Sequence, residues 1–140
     1  MRPAPSPPLL ALDRQELVPI FAGGLIGALV RSALAQGFPV RADQWPWATF
    51  AVNMLGAALL GYFITRLQER VAPSLYSRAF LGTGVCGALT TFSTVMVELM
   101  KMIEGAHVEL AAAYAGASLA GGFAAVFLAT KLVRRAGTVA

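Results

Sequence analysis

Apolar residues gather along this chain into four long blocks, 17–38, 47–67, 80–102 and 108–133, and most charged residues fall between and beyond them. Roughly 20 consecutive apolar residues carry a helix across a bilayer, so each block predicts one membrane-spanning helix. The blocks lack the strict alternation of a barrel strand, and helices and closed barrels are the two solutions that satisfy every backbone group inside lipid. The predicted fold class is therefore an all-α membrane protein with four transmembrane helices. Short connections make residues 17–135 one four-helix unit. Residues 1–16, rich in proline and charge, predict a disordered cytoplasmic tail, and residues 136–140 a short C-terminal one. The leader has no apolar core ahead of a small-residue cleavage site, which argues against a signal peptide.

Composition supports this reading. Of 140 residues, 57% are hydrophobic and 13% charged, which is too apolar for a soluble domain of this size. Orientation follows from the basic residues, which favour the cytoplasmic side. Arg2, Arg14, Arg66, Arg70, Arg78, Lys131, Arg134 and Arg135 share one side, and Arg41 and Lys101 lie on the other. Both termini are thus expected inside. The net charge of +4 arises from these flanks, which we read as topology determinants facing anionic lipid rather than as a nucleic-acid site. Trp45 and Trp47, beside Pro46, fit an aromatic belt at the opposite interface. The single cysteine, Cys86, lies within the third block and reads as a small packing residue.

Small residues recur in the first, second and fourth blocks, at Gly23, Gly24 and Gly27, at Gly56 and Gly61, and at Ala112, Gly116, Ala120, Gly121 and Gly122. Such residues let membrane helices approach closely. Four helices of this length pack nearly solid, so a transport path would require an oligomer.

A few polar residues stand inside the apolar blocks. Arg31 is one, and an arginine near the bilayer centre costs about 2.5–3.5 kcal/mol on insertion scales. It is expected to snorkel, to pair, or to face a watery vestibule where it would concentrate anions. Asn53 reads either as helix–helix glue or as a donor lining a pore. Tyr114 and Ser118, spaced i and i+4, put two hydroxyls on one face of the fourth helix. The densest cluster is GVCGALTTFST, residues 84–94. Gly84 and Gly87 weaken a helix, and the hydroxyls of Thr90, Thr91, Ser93 and Thr94 suit the backbone groups that a break would free. The carbonyls of such a break suit a small hard cation. The restarting half-helix presents N–H groups and a positive dipole end to an anion. Phe92 lies in that restart, and its ring edge is positive. The competing reading is a kinked packing helix with a core phenylalanine.

Three segments, GGLIGALVR (23–31), WPWATFAVNMLGAALLGY (45–62) and GTGVCGALTTFSTVMVE (82–98), together with Tyr114 and Ser118, resemble the Fluc (CrcB) family of bacterial fluoride channels. The resemblance spans about residues 17–135. It implies a passive fluoride channel, multi-pass in the bacterial inner membrane, that lowers fluoride toxicity by letting the anion leave. It implies an antiparallel, dual-topology dimer with a broken third helix. Asn53, Phe92, Thr91, Tyr114 and Ser118 would form the fluoride pathway, with Arg31 and Glu98 near the vestibules. The backbone carbonyls of Gly87 and Thr90 would hold a structural sodium ion at the dimer interface.

The chain departs from the family pattern in two places. Val95 stands where a second phenylalanine is usual, and Gly122 stands where the polar track usually continues. The biased basic residues also sit poorly with insertion in both orientations. These features leave a homodimer open beside a heterodimer with an oppositely biased paralogue. One alternative is a small four-helix drug/proton exporter, which needs a carboxylate in its first span, where this chain has none. Another is a non-conducting subunit. An enzyme is not expected, because His107 has no partners of metal-ligand spacing.

Overall fold

The computed structural model describes residues 14–69 and 75–137. The expected leader before residue 14, Arg70 and the last three residues lie outside the described residues. Helix α1 spans Arg14–Gly37, so it starts inside the expected leader, and α2 spans Trp47–Glu69. Helix α3, residues 75–89, begins as an α-turn, widens into a π-helix over Arg78–Cys86, and tightens again at Gly87–Leu89. After the extended residues Thr90 and Thr91, α4 spans Phe92–Glu104 and α5 spans Val108–Gly137. No strand occurs among the described residues. Four helical stretches are long and apolar enough to cross a membrane, the third consisting of α3 and α4 together. This is a multi-pass membrane protein, and its apolar surface accords with that: Phe21, Phe123 and Leu132 point outward and are mostly exposed.

The break falls at Thr90–Thr91, just after the glycines that were expected to cause it. Gly84 instead serves helix packing. Helix α1 packs chiefly on α3, at a distance set by missing side chains. A Cβ on Gly84 would lie 2.8 Å from the Ile20 carbonyl oxygen, and one on Gly27 would lie 2.5 Å from that of Val85. A Cβ on Gly23 would collide with the Phe80 carbonyl oxygen. The seam is backbone on backbone, the arrangement by which helices associate in lipid without a hydrophobic drive.

Helix α2 packs chiefly on α5, where a Cβ on Gly121 would lie 2.8 Å from Met54 Sδ. Nearby, the Thr65 hydroxyl bonds the Gly61 carbonyl at 2.7 Å. Helix α4 leans on α5 through Val95, Met102, Ala111 and Tyr114, with Trp45 and Phe50 packed against that cluster. Trp45 is therefore half-buried against the core, its ring edge-on to Tyr114 at 5.4 Å. Only Trp47, which is 69% exposed, remains for the expected aromatic belt. Cys86 is buried, as a packing residue should be.

The α4–α5 turn closes with a Schellman pair of hydrogen bonds. His107 N–H bonds the Met102 carbonyl at 2.8 Å, and Ala106 N–H bonds that of Ile103 at 3.0 Å. The motif requires a left-handed residue, usually glycine, and here Ala106 takes it at φ 63°.

Three outcomes follow for thermal unfolding in detergent. Gly27→Val should destabilise by about 1–3 kcal/mol through overpacking, whereas Gly24→Ala, with nothing within 4 Å of its added Cβ, should stay within about 0.5 kcal/mol. Ala106→Gly should stabilise by up to about 1 kcal/mol, because the left-handed strain is relieved at some entropic cost.

Candidate functional site

The interruption of the third span leaves backbone groups unpaired at membrane depth, where each costs several kcal/mol. Side chains from the first three spans take up several of them. Thr90 folds its hydroxyl back onto the Cys86 carbonyl at 2.9 Å, beside its own N–H at 3.1 Å. Thr91 caps α4, its hydroxyl accepting the Thr94 N–H at 3.2 Å. It also lies 3.2 Å from the Ser93 hydroxyl and 3.0 Å from that of Thr94. Of the four hydroxyls expected to satisfy the break, those of Thr90 and Thr91 reach backbone groups, and those of Ser93 and Thr94 meet the Thr91 hydroxyl.

Asn53 reaches across from α2 and holds both peptide groups of Thr91. Its Oδ1 accepts the Thr91 N–H at 2.9 Å, and its Nδ2 donates to the Thr91 carbonyl at 3.1 Å. The amide thus stands in for a neighbouring β-strand beside a residue with φ −145° and ψ 122°. The two sequence readings of Asn53 meet here. It binds helices together, and it also lines a cavity.

Arg31 neither snorkels nor stands free. Its Nε donates to the Ala88 carbonyl at 3.0 Å, which places a cation at the C-terminal, negative end of α3. It lines a narrow cleft with Thr49, Thr91 and Thr94, about 20 Å³ in volume, the size of one water or one small ion.

On the other side of Thr91 lies a cavity of about 360 Å³. Asn53, Thr91, Phe92 and Ser118 share it, with Thr90, Val95 and an apolar wall that includes Met54, Met96 and Leu99. Phe92 stands at its rim, 75% exposed. The Ser118 hydroxyl is buried and makes no hydrogen bond of ordinary geometry among the described residues. Gly122 supplies no side chain at the next turn, and there the cavity adjoins a second groove running to Phe127 and Thr130.

Tyr114 does not line that cavity. It is fully buried, and its hydroxyl donates to Glu98 Oε2 at 2.8 Å. Glu98, expected at a vestibule, is enclosed, and its Oε1 accepts the Thr49 hydroxyl at 2.6 Å. The sequence reading passed over Thr49. The available signal was its i, i+4 spacing to Asn53, two polar residues on one face of an apolar span. Gly87, by contrast, is exposed on an open face of the chain, with nothing within 4 Å of a Cβ placed there.

Chemically, the site pairs the carbonyl end of α3 with the N–H end of α4 across two extended residues. Neutral hydroxyl, amide and ring-edge donors flank the join. No cluster of acidic, histidine or cysteine side chains suited to a metal occurs among the described residues.

Comparison with known proteins bears on this site. A family model described as CrcB-like protein, Camphor Resistance (CrcB), matches residues 18–130. The chain is 56% identical over 126 residues to a protein of Mycolicibacterium paratuberculosis named fluoride-specific ion channel FluC 1, covering 88% of this chain and 93% of that one. It is 57% identical over 123 residues to a Mycobacterium bovis protein of the same name, with the same two coverages of 88% and 93%. It is 38% identical over 113 residues to a Chlorobaculum tepidum protein named fluoride-specific ion channel FluC, covering 81% of this chain and 90% of that one.

A mutant cycle tests the Glu98 network. Thr49→Val and Tyr114→Phe should each destabilise by about 1–3 kcal/mol. The pair should be non-additive because both hydroxyls serve one carboxylate, which thermal unfolding of the two single variants and the double variant would measure.

Proposed function

This chain belongs to the CrcB-like protein family, and from that premise we propose that it is a fluoride-selective passive channel that lets the anion leave the cytoplasm. The observation that carries the reading is the cavity shared by Asn53, Thr91, Phe92 and Ser118 beside the break in the third span. Fluoride is small and strongly hydrated, so a path through lipid must replace its water with fixed donors. Asn53 spends one N–H on Thr91 and keeps the second for the cavity that it lines. Ser118 has a buried hydroxyl with no protein partner of ordinary geometry. The positive edge of the Phe92 ring borders the opening, and the α4 N-terminus adds its dipole. None of these groups carries a full positive charge, so binding stays weak enough for release.

Arg31 lies on the far side of Thr91 and raises the local concentration of anions there. Beyond Ser118, an anion that reaches Tyr114 must compete with Glu98 for the tyrosine hydroxyl. Hydrogen fluoride enters cells and ionises inside, which traps the anion. An inside-negative potential then drives it out with about 2.3 kcal/mol per charge per 100 mV.

The working unit in this reading is an antiparallel dimer. One chain leaves the cavity open at Phe92, so a second chain is needed to close it. The carbonyls of Gly87 and Thr90 would hold a structural sodium ion in such a dimer. The donor set fits such an ion: these are neutral oxygens at the negative end of α3, and the space outside Gly87 is open. Hard cations gather about six oxygens, more than one chain offers here, so both chains contribute. The charge bias and Val95 favour a paralogue of opposite bias as the second chain, one that supplies the ring missing at this position.

Vesicles loaded with fluoride or chloride test the reading, carrying this protein either alone or co-produced with an oppositely biased paralogue. Fluoride efflux without chloride efflux is expected in the co-produced arm, and its absence from both arms would overturn the channel reading. Robust fluoride efflux from the lone chain would overturn the heterodimer. In the conducting arm, Ser118→Ala should lower flux about tenfold, the equivalent of one lost hydrogen bond.

A further inference from the structure

An uninterrupted helix would bond the Thr91 N–H to the carbonyl four residues back, that of Gly87. Here the Thr91 N–H goes to Asn53 Oδ1 at 2.9 Å, and the Thr91 carbonyl is held by the same amide at 3.1 Å. The neighbouring carbonyls are engaged. That of Cys86 receives the Thr90 N–H and hydroxyl, and that of Ala88 receives Arg31 Nε. Gly87 has lost its helical donor and lies on an open face, where a Cβ would touch nothing within 4 Å. Thr90, with φ −75° and ψ 148°, has left the helix and turned its carbonyl away from the α3 ladder.

We infer that Asn53 is a positioning residue for the cation site as well as a wall of the anion path: by holding Thr91 at both peptide groups it withdraws the N–H that would otherwise occupy the Gly87 carbonyl. The inference rests on the proposed sodium site. One side chain then serves both ions. On its cavity side Asn53 offers an N–H to the anion, and through the backbone of Thr91 it keeps a carbonyl oxygen open for the cation. Arg31 complements it by closing the Ala88 carbonyl, so the cation meets Gly87 and Thr90 alone. Without the clamp, α3 extends by one residue and the Thr91 N–H returns to Gly87.

The test measures thermal unfolding of the purified protein, in the assembly that conducts or alone if neither conducts. Midpoints in sodium are compared with those in N-methyl-D-glucamine at equal ionic strength. Wild type should gain about 5 °C or more at saturating sodium, and Ser118→Ala, which leaves the break untouched, should keep that gain. Asn53→Ala and the near-isosteric Asn53→Asp, which sets an oxygen against the Thr91 carbonyl, should lose most of it. A full sodium shift in both Asn53 variants would overturn the inference, as would no shift in wild type. If neither variant purifies, a ¹³C-labelled Gly87 carbonyl in wild type gives the answer by infrared spectroscopy. Its band should respond to sodium and not to N-methyl-D-glucamine, and an indifferent band overturns the inference. Fluoride flux measured in parallel keeps the two readings apart. A sodium shift without flux supports the inference and sinks the channel reading, and flux without a sodium shift does the reverse.

Discussion

The structure depends on a backbone interruption at Thr90–Thr91 in the middle of a membrane span. Lipid offers nothing for peptide groups to bond, so a group freed there is costly unless something else takes it up. The partners come from the whole chain. Threonine hydroxyls act locally, Asn53 crosses from α2, and Arg31 crosses from α1. The break is therefore a tertiary object. It persists because three helices hold it, and it fixes their positions in return.

Close helix approach makes that reach possible. A neutral side chain as short as that of Asn53 bonds a neighbouring backbone only if the helices nearly touch. Glycine seams bring α1 against α3, and α2 against α5. Gly56 faces the Thr90 side chain with no room for a Cβ, so the wall of α2 beside the break is itself shaped by a missing side chain. Packing and polar satisfaction are one constraint here. Filling a seam would pull the clamp off its target.

The same geometry sets two helix ends of opposite polarity a few residues apart. The C-terminal end of α3 is electronegative and the N-terminal end of α4 electropositive, and the extended pair keeps them from joining into one cancelling ladder. Arg31 moderates the first end, and the Thr91 hydroxyl occupies part of the second. Glu98 sits away from both, with its two oxygens occupied by the Thr49 and Tyr114 hydroxyls.

Sequence by itself determined the four spans, because span length and hydropathy answer to bilayer thickness alone. It also pointed to the interrupted third span, since glycines beside a threonine run are costly in lipid unless they are used. Phe92, Asn53 and Ser118 were legible as residues out of place. Their partners were not. That Asn53 holds Thr91, that Arg31 finds Ala88, that Tyr114 and Thr49 both turn to Glu98, and that Trp45 packs against the core all depend on contacts between residues 16 to 69 positions apart. Local pattern carries no information about such distances. Helix rotation and seam depth decide them, and the packing of the whole bundle sets both.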